Sequence, residues 1–103
     1  MKRVMVRYTV KPDRIEENER LVRAVYMQLD RDRPQGLRYA TFKLADGVSF
    51  VHVASVETAD GSNPLPALEA FRQFTAAIKD RCVEPPVTTD LVEVGSYRFF
   101  DPQ

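Results

Sequence analysis

Tryptophan is absent from this chain, and histidine and cysteine occur once each. A single thiol, Cys82, cannot close an intrachain disulfide or supply a cysteine metal cluster. One histidine among scattered carboxylates shows no ligand spacing, so no metal site is expected. Glycine occurs four times, in turns and one strand, with no Gly-rich phosphate loop. No cofactor motif is visible, and none is expected. Charge of one sign is missing too: 15 Lys and Arg balance 15 Asp and Glu. That neutrality argues against electrostatic binding of nucleic acid or of an anionic membrane surface. No segment approaches the roughly 20 apolar residues a membrane span needs. The opening MKRVMVRYTV carries two early cations like a leader, but Arg7 breaks its apolar run and no small-residue cleavage site follows. It reads as a strand, and the expected location is the cytoplasm.

What is present is regular. A chain of 103 residues, 44% hydrophobic, fits one domain over 1–103. Val4, Val6, Tyr8 and Val10 alternate with Arg3, Met5, Arg7 and Thr9, a period-two strand with one strongly apolar face. Asp13 and Glu16 form a capping-box pattern. Ile15, Val22, Val25, Tyr26 and Leu29 then recur at helical spacing, which predicts a helix over 13–31, ending before Pro34-Gln35-Gly36. Glu16–Arg20 and Glu19–Arg23 are favourable pairs on its outer side. Asn63 is placed to cap a second helix over 64–80, with Leu68, Phe71, Phe74 and Ile78 as its apolar stripe. Pro85-Pro86 forbids continuation. A last strand is expected over 87–98, followed by the aromatic Tyr97, Phe99 and Phe100.

Between the helices lies LRYATFKLADGVSFVHVASVE. Asp46-Gly47 between two alternating runs predicts a hairpin with a type I′ turn, which needs φ > 0 at both positions. Pairing outward from that turn puts Tyr39, Thr41, Phe50 and His52 on one face. Phe42, Leu44, Val51 and Val53 fall on the other. The order is βαββαβ. Right-handed crossovers place both helices on one face of a four-stranded antiparallel sheet, an α+β, ferredoxin-like fold. The helices cover one sheet face only. The apolar set Phe42, Leu44, Val51 and Val53 is therefore expected to bury itself against a second copy, giving a homodimer.

A chain of this order and length with two apolar sheet faces resembles the dimeric α+β barrel superfamily, and within it the antibiotic biosynthesis monooxygenase-like domains. The first strand VMVRYTVKP and the segments VASVETADG and ALEAFRQF carry the likeness, over about residues 3–96. The resemblance implies a dimeric barrel and a pocket between sheet and helices. The haem-degrading branch uses an Asn on the first strand, a Trp on the third and a His on the second helix. Here those places hold Arg7 and Tyr8, Val56 and Phe71, and Phe cannot ligate iron. The quinone-forming branch uses Asn, Trp, Tyr and Arg to hold a polyphenol. Asn18 and Asn63 lie on a helix and a loop, not on the first strand.

His52 is the candidate catalytic residue, a general base for a phenolic substrate. The competing reading is a buried imidazole hydrogen-bonded to Thr41 or Tyr39. Tyr8, Tyr26, Tyr39, Thr41 and Phe71 are the candidate ligand-binding residues, the tyrosines either orienting a planar aromatic molecule or serving as core. Arg7 is expected to bind an anion or to pair with Asp90 or Glu93. Two functions follow as expectations: cofactor-independent oxidation of a small apolar or aromatic molecule, or a non-catalytic ligand-binding or dimerisation module. Free volume beside His52 discriminates between them.

Overall fold

The computed structural model describes residues 1–100. Strand β1 (Lys2–Val10) leads through a 3-10 turn into helix α1 (Ile15–Asp32). Strands β2 (Leu37–Lys43) and β3 (Ser49–Val56) form the hairpin. A second 3-10 turn, Leu65–Ala67, precedes helices α2 (Glu69–Ala76) and α3 (Ile78–Arg81), and strand β4 (Cys82–Leu91) follows. The sheet order is β2-β3-β1-β4, and every neighbouring pair is antiparallel. This is the expected βαββαβ arrangement with the helices on one face.

The core lies between that face and the helices. Tyr8, Val10 and Phe50 from the sheet meet Val22 and Val25 of α1, Leu65, Leu68, and Phe74 of α2. These residues are the alternating face of β1 and the 3.6-period stripe of α1, so two periodicities converge on one layer.

The hairpin register matches the sequence reading: Tyr39 pairs with Ala54, Thr41 with His52, and Phe42 with Val51. The turn itself differs. Leu44 N–H bonds Ser49 O at 2.8 Å, Gly47 N–H bonds Leu44 O at 3.0 Å, and Gly47 takes φ +78° while Asp46 stays at negative φ. The loop therefore has four residues, Ala45 to Val48, rather than two. The Asp46 carboxylate organises it by accepting from Val48 N–H (3.0 Å), Ser49 N–H (2.8 Å) and the Ser49 hydroxyl (2.6 Å). A four-residue loop centred on the same two positions leaves the register unchanged.

Other boundaries move for local reasons. Asp13 makes no capping bond and sits in the 3-10 turn. Helix α1 ends where Arg33 adopts a left-handed conformation (φ 46°) before Pro34. The second helical region breaks into three pieces, and the residue that caps the first is Pro64 rather than Asn63, whose Oδ1 accepts from Leu65 N–H at 3.0 Å in the turn leading in. The last strand begins at Cys82, five residues earlier than expected, and contains Pro85 and Pro86. β4 is an edge strand, where a missing N–H is tolerated. Its pairs with β1 jump from Arg7–Val87 to Thr9–Glu84, so the two prolines bulge opposite Tyr8.

On the outer sheet face, Phe42 is 51% exposed, and Leu44, Val51 and Val53 are half-buried. Arg7 is not the cation that pairs there: Arg3 bonds Glu93 and approaches Glu57 at 3.8 Å. Arg3 faces the Ser55 side of the sheet, within reach of both carboxylates. The aromatic tail folds back towards this corner, with the Arg3 guanidinium 3.8 Å over the Phe100 ring. No helix among the described residues is long and apolar enough to cross a membrane.

Candidate functional site

His52 sits in the middle of β3, its side chain on the helix side and 4% exposed. The alternation that buries Phe50, Ala54 and Val56 also carries His52 inward. Its neighbours are placed by the same two registers. Thr41 is directly opposite on β2, and Tyr8 on β1 is a diagonal neighbour, since Val6 pairs with His52 and Tyr8 with Phe50.

Both ring nitrogens are engaged. Tyr8 Oη lies 2.8 Å from Nε2, Tyr39 Oη 2.7 Å from Nδ1, and Thr41 Oγ1 3.1 Å from Nδ1. The imidazole also packs against the Phe74 ring, 5.2 Å between centroids. Burial in this aromatic layer pushes the His52 pKa down to about 4, so the ring is neutral at pH 7. Burial raises the phenols of Tyr8 and Tyr39 far above the ordinary range and pushes Tyr26 up to about 12. All of these groups are uncharged at neutral pH and act as hydrogen-bonding groups.

The network extends in two directions. Tyr26 Oη meets Thr41 Oγ1 at 2.7 Å and its ring stacks on Tyr39. On the other side Asn18 Nδ2 donates to Tyr8 Oη at 2.9 Å, and Arg81 Nε donates to Asn18 Oδ1 at 3.3 Å. Arg81 also donates through Nη2 to Phe74 O at 2.8 Å. No buried side-chain nitrogen or oxygen among the described residues lacks a partner.

A cavity of about 310 Å³ opens beside this network. Tyr8, Tyr39 and His52 form its polar end, Val4, Val6 and Ala54 its floor, and Phe71, Phe74 and Ile78 its helical wall. Asn63, Thr75 and Thr88 add polar groups elsewhere on the lining. That volume is at the lower end of the range for small-molecule sites, about 300–1,000 Å³. Of the candidate ligand residues, Tyr8, Tyr39 and Phe71 line the cavity. Tyr26 and Thr41 stand behind Tyr39 and reach the site through hydrogen bonds.

Sequence reasoning missed Asn18 and Arg81. Asn18 continues the stripe Ile15–Val22–Val25 at helical spacing, and a polar residue on an apolar stripe is a signal of a buried partner. Arg81 closes α3 at the entry to β4, and nothing local distinguishes it. Cys82 is buried beside it, its thiol pushed up by burial. Among the described residues no three His, Cys, Asp or Glu side chains cluster to hold a metal.

The same backbone arrangement recurs among solved structures. An antibiotic biosynthesis monooxygenase superposes with a TM-score of 0.74 at 20% identity, over 92% of this chain and 100% of that one. The fold is that of the antibiotic biosynthesis monooxygenases. Rv0793 of Mycobacterium tuberculosis has the same TM-score, 0.74, at 18% identity, over 92% of this chain and 96% of its own. A variant of SnoaB, a cofactor-independent oxygenase from Streptomyces nogalater, reaches 0.68 at 16% identity, over 94% of this chain and 96% of its own. No family model matches the sequence, and no curated protein does. The likeness to the monooxygenase structures thus concerns the fold.

Proposed function

We propose that this chain binds a small planar aromatic molecule in the 310 Å³ cavity and oxidises it without a cofactor; its fold neighbour SnoaB is named a cofactor-independent oxygenase. The observation that carries the reading is a largely apolar cavity ending on three convergent polar side chains, Tyr8, Tyr39 and His52. In such a reaction the ligand supplies the electrons. An activated ring methylene loses a proton and reacts with dioxygen to give a hydroperoxide. The hydroperoxide then loses water and leaves a ring carbonyl. One methylene and one dioxygen are consumed, and one carbonyl and one water are formed. The protein's part is to exclude water, orient the ring and stabilise the anion that forms when the methylene proton leaves. Both His52 nitrogens face hydroxyls, so a proton moving between ligand and imidazole passes through a tyrosine oxygen.

That full engagement of His52 favours a second reading, a binding pocket that performs no chemistry. Calorimetric titration with anthrone, a tricyclic ring ketone with an activated methylene, and with the smaller 1-indanone tests binding, and an oxygen electrode tests turnover. Saturable binding that disappears in Thr75→Trp, which plugs the exposed cavity rim, supports the site. Binding without oxygen uptake supports the second reading. No saturable binding of either ketone up to millimolar concentration overturns both.

The second part of the proposal is a homodimer formed by the outer sheet face, through Phe42, Leu44, Val51 and Val53. The half-exposed Phe42 beside two half-buried valines is the support. Sedimentation as a monomer at micromolar concentration would refute it.

A further inference from the structure

Arg81 is buried to 1% exposure, and its guanidinium has no acceptor capacity. It fixes the orientation of Asn18, whose Oδ1 must face the Arg81 Nε–H at 3.3 Å. The Asn18 amide NH2 therefore faces Tyr8, 2.9 Å away, and Tyr8 Oη accepts. The Tyr8 proton has one remaining neighbour, His52 Nε2 at 2.8 Å. A neutral imidazole that accepts at Nε2 carries its proton on Nδ1. That proton points at Tyr39 Oη, 2.7 Å away and nearer than Thr41 Oγ1 at 3.1 Å. Thr41 Oγ1 in turn meets Tyr26 Oη at 2.7 Å, where either hydroxyl can donate. Tyr39 Oη then accepts from His52, which leaves its own proton to turn towards the cavity that Tyr39 lines.

We propose that Arg81, acting through Asn18, sets the direction of this chain, so that Tyr39 offers an O–H donor to the cavity and selects ligands with a carbonyl or oxyanion oxygen at that end. The inference rests on the cavity being a ligand site and adds the polarity of its ligand. A donor at this point stabilises charge developing on the carbonyl oxygen as the C–H conjugated to it is lost, in the manner of an oxyanion hole. Arg81 and Asn18 are positioning residues, because neither touches the ligand. The opposite direction leaves Tyr8 accepting from both Asn18 and His52, so that the unpaired proton sits on a hydroxyl whose residue is 1% exposed rather than on the half-buried Tyr39, which is the less favourable place for it.

The single histidine makes the chain readable by nitrogen-15 NMR of the imidazole in the full-length protein. The expected result is a neutral ring protonated on Nδ1. Asn18→Asp reverses the polarity, since a carboxylate accepts from both Arg81 and Tyr8, and moves the proton to Nε2. A wild-type ring protonated on Nε2 overturns the inference with no variant needed. A ligand arm compares acetophenone with ethylbenzene, similar in shape but differing in the acceptor oxygen. Wild type is expected to prefer acetophenone about five-fold, one net hydrogen bond, and Tyr39→Phe to lose the preference. Equal affinities in wild type overturn the inference and leave the cavity reading intact: the Tyr39 proton then runs outward through Thr41 and Tyr26. Failure of both probes to bind overturns the cavity reading and the ligand half of the inference together.

Discussion

The Tyr8 hydroxyl meets Nε2 of His52 at 2.8 Å from a diagonal position on the adjacent strand. Diagonal partners on antiparallel strands lie about 7–8 Å apart at the backbone, within reach of long aromatic side chains. The contact needs both the β1–β3 register and an aromatic on β1. It ties the single imidazole of the chain into a buried aromatic layer.

Stability should therefore fall on mild acidification. The His52 pKa is lowered to about 4 in the folded chain, against about 6.5 in the unfolded one. Between those values the unfolded state binds the extra proton, so stability is full above pH 6.5 and is lost as pH falls towards 4. The loss between pH 7.5 and pH 5 is expected to be about 2 kcal/mol. Urea unfolding at the two pH values measures it, and His52→Gln should remove most of the difference. An unchanged slope in that variant would assign the pH dependence to other groups.

Asn18→Ala removes the donor to Tyr8 and the acceptor for Arg81 in one step, at a position with no exposure. Leaving buried polar groups unpaired costs about 1–3 kcal/mol each. We expect a destabilisation of roughly 3 kcal/mol in denaturant titrations, larger than for alanine at the exposed Arg23 of the same helix.

Gly36 and Gly47 both take left-handed φ values, +76° and +78°, but their surroundings differ. A Cβ on Gly36 would meet Thr58 Cα at 2.8 Å, whereas nothing lies within 4 Å of one on Gly47. Gly47→Ala should cost about 1–2 kcal/mol from backbone conformation alone. Gly36→Ala should cost clearly more, because the β2 entry must separate from the segment after β3. Thermal melts of the two variants side by side test the order.

Phe42→Lys changes a half-exposed side chain on the outer face and should leave the folding of one chain within about 0.5 kcal/mol. If the sheet face is the dimer interface, the same change converts the sedimenting species from dimer to monomer. A variant that still sediments as a dimer would move the interface elsewhere.

Much of this site is legible in the sequence. Alternation alone put Tyr39, Thr41 and His52 on one face and Tyr8 on the matching face of β1, since a period of two survives an error in turn type. The missed residues depend on three-dimensional closure. Asn18 meets Tyr8 across the α1–β1 layer, and Arg81 meets Asn18 across 63 positions of sequence. Their roles follow from packing, which periodicity does not encode. Pro85 and Pro86 misled for another reason. Proline stops a helix, but on an edge strand it makes a bulge, and here Pro86 becomes part of the cavity lining.

The hairpin loop carries a consequence for how the protein tolerates length change. Ala45 to Val48 sit symmetrically about Asp46-Gly47, and β3 is held independently by β1. Adding or removing two loop residues preserves the parity of β2. A change of one inverts it, sending Tyr39 and Thr41 outwards and bringing Ala40 and Phe42 in. Natural length variation at this loop should therefore be even-numbered wherever the histidine network is kept.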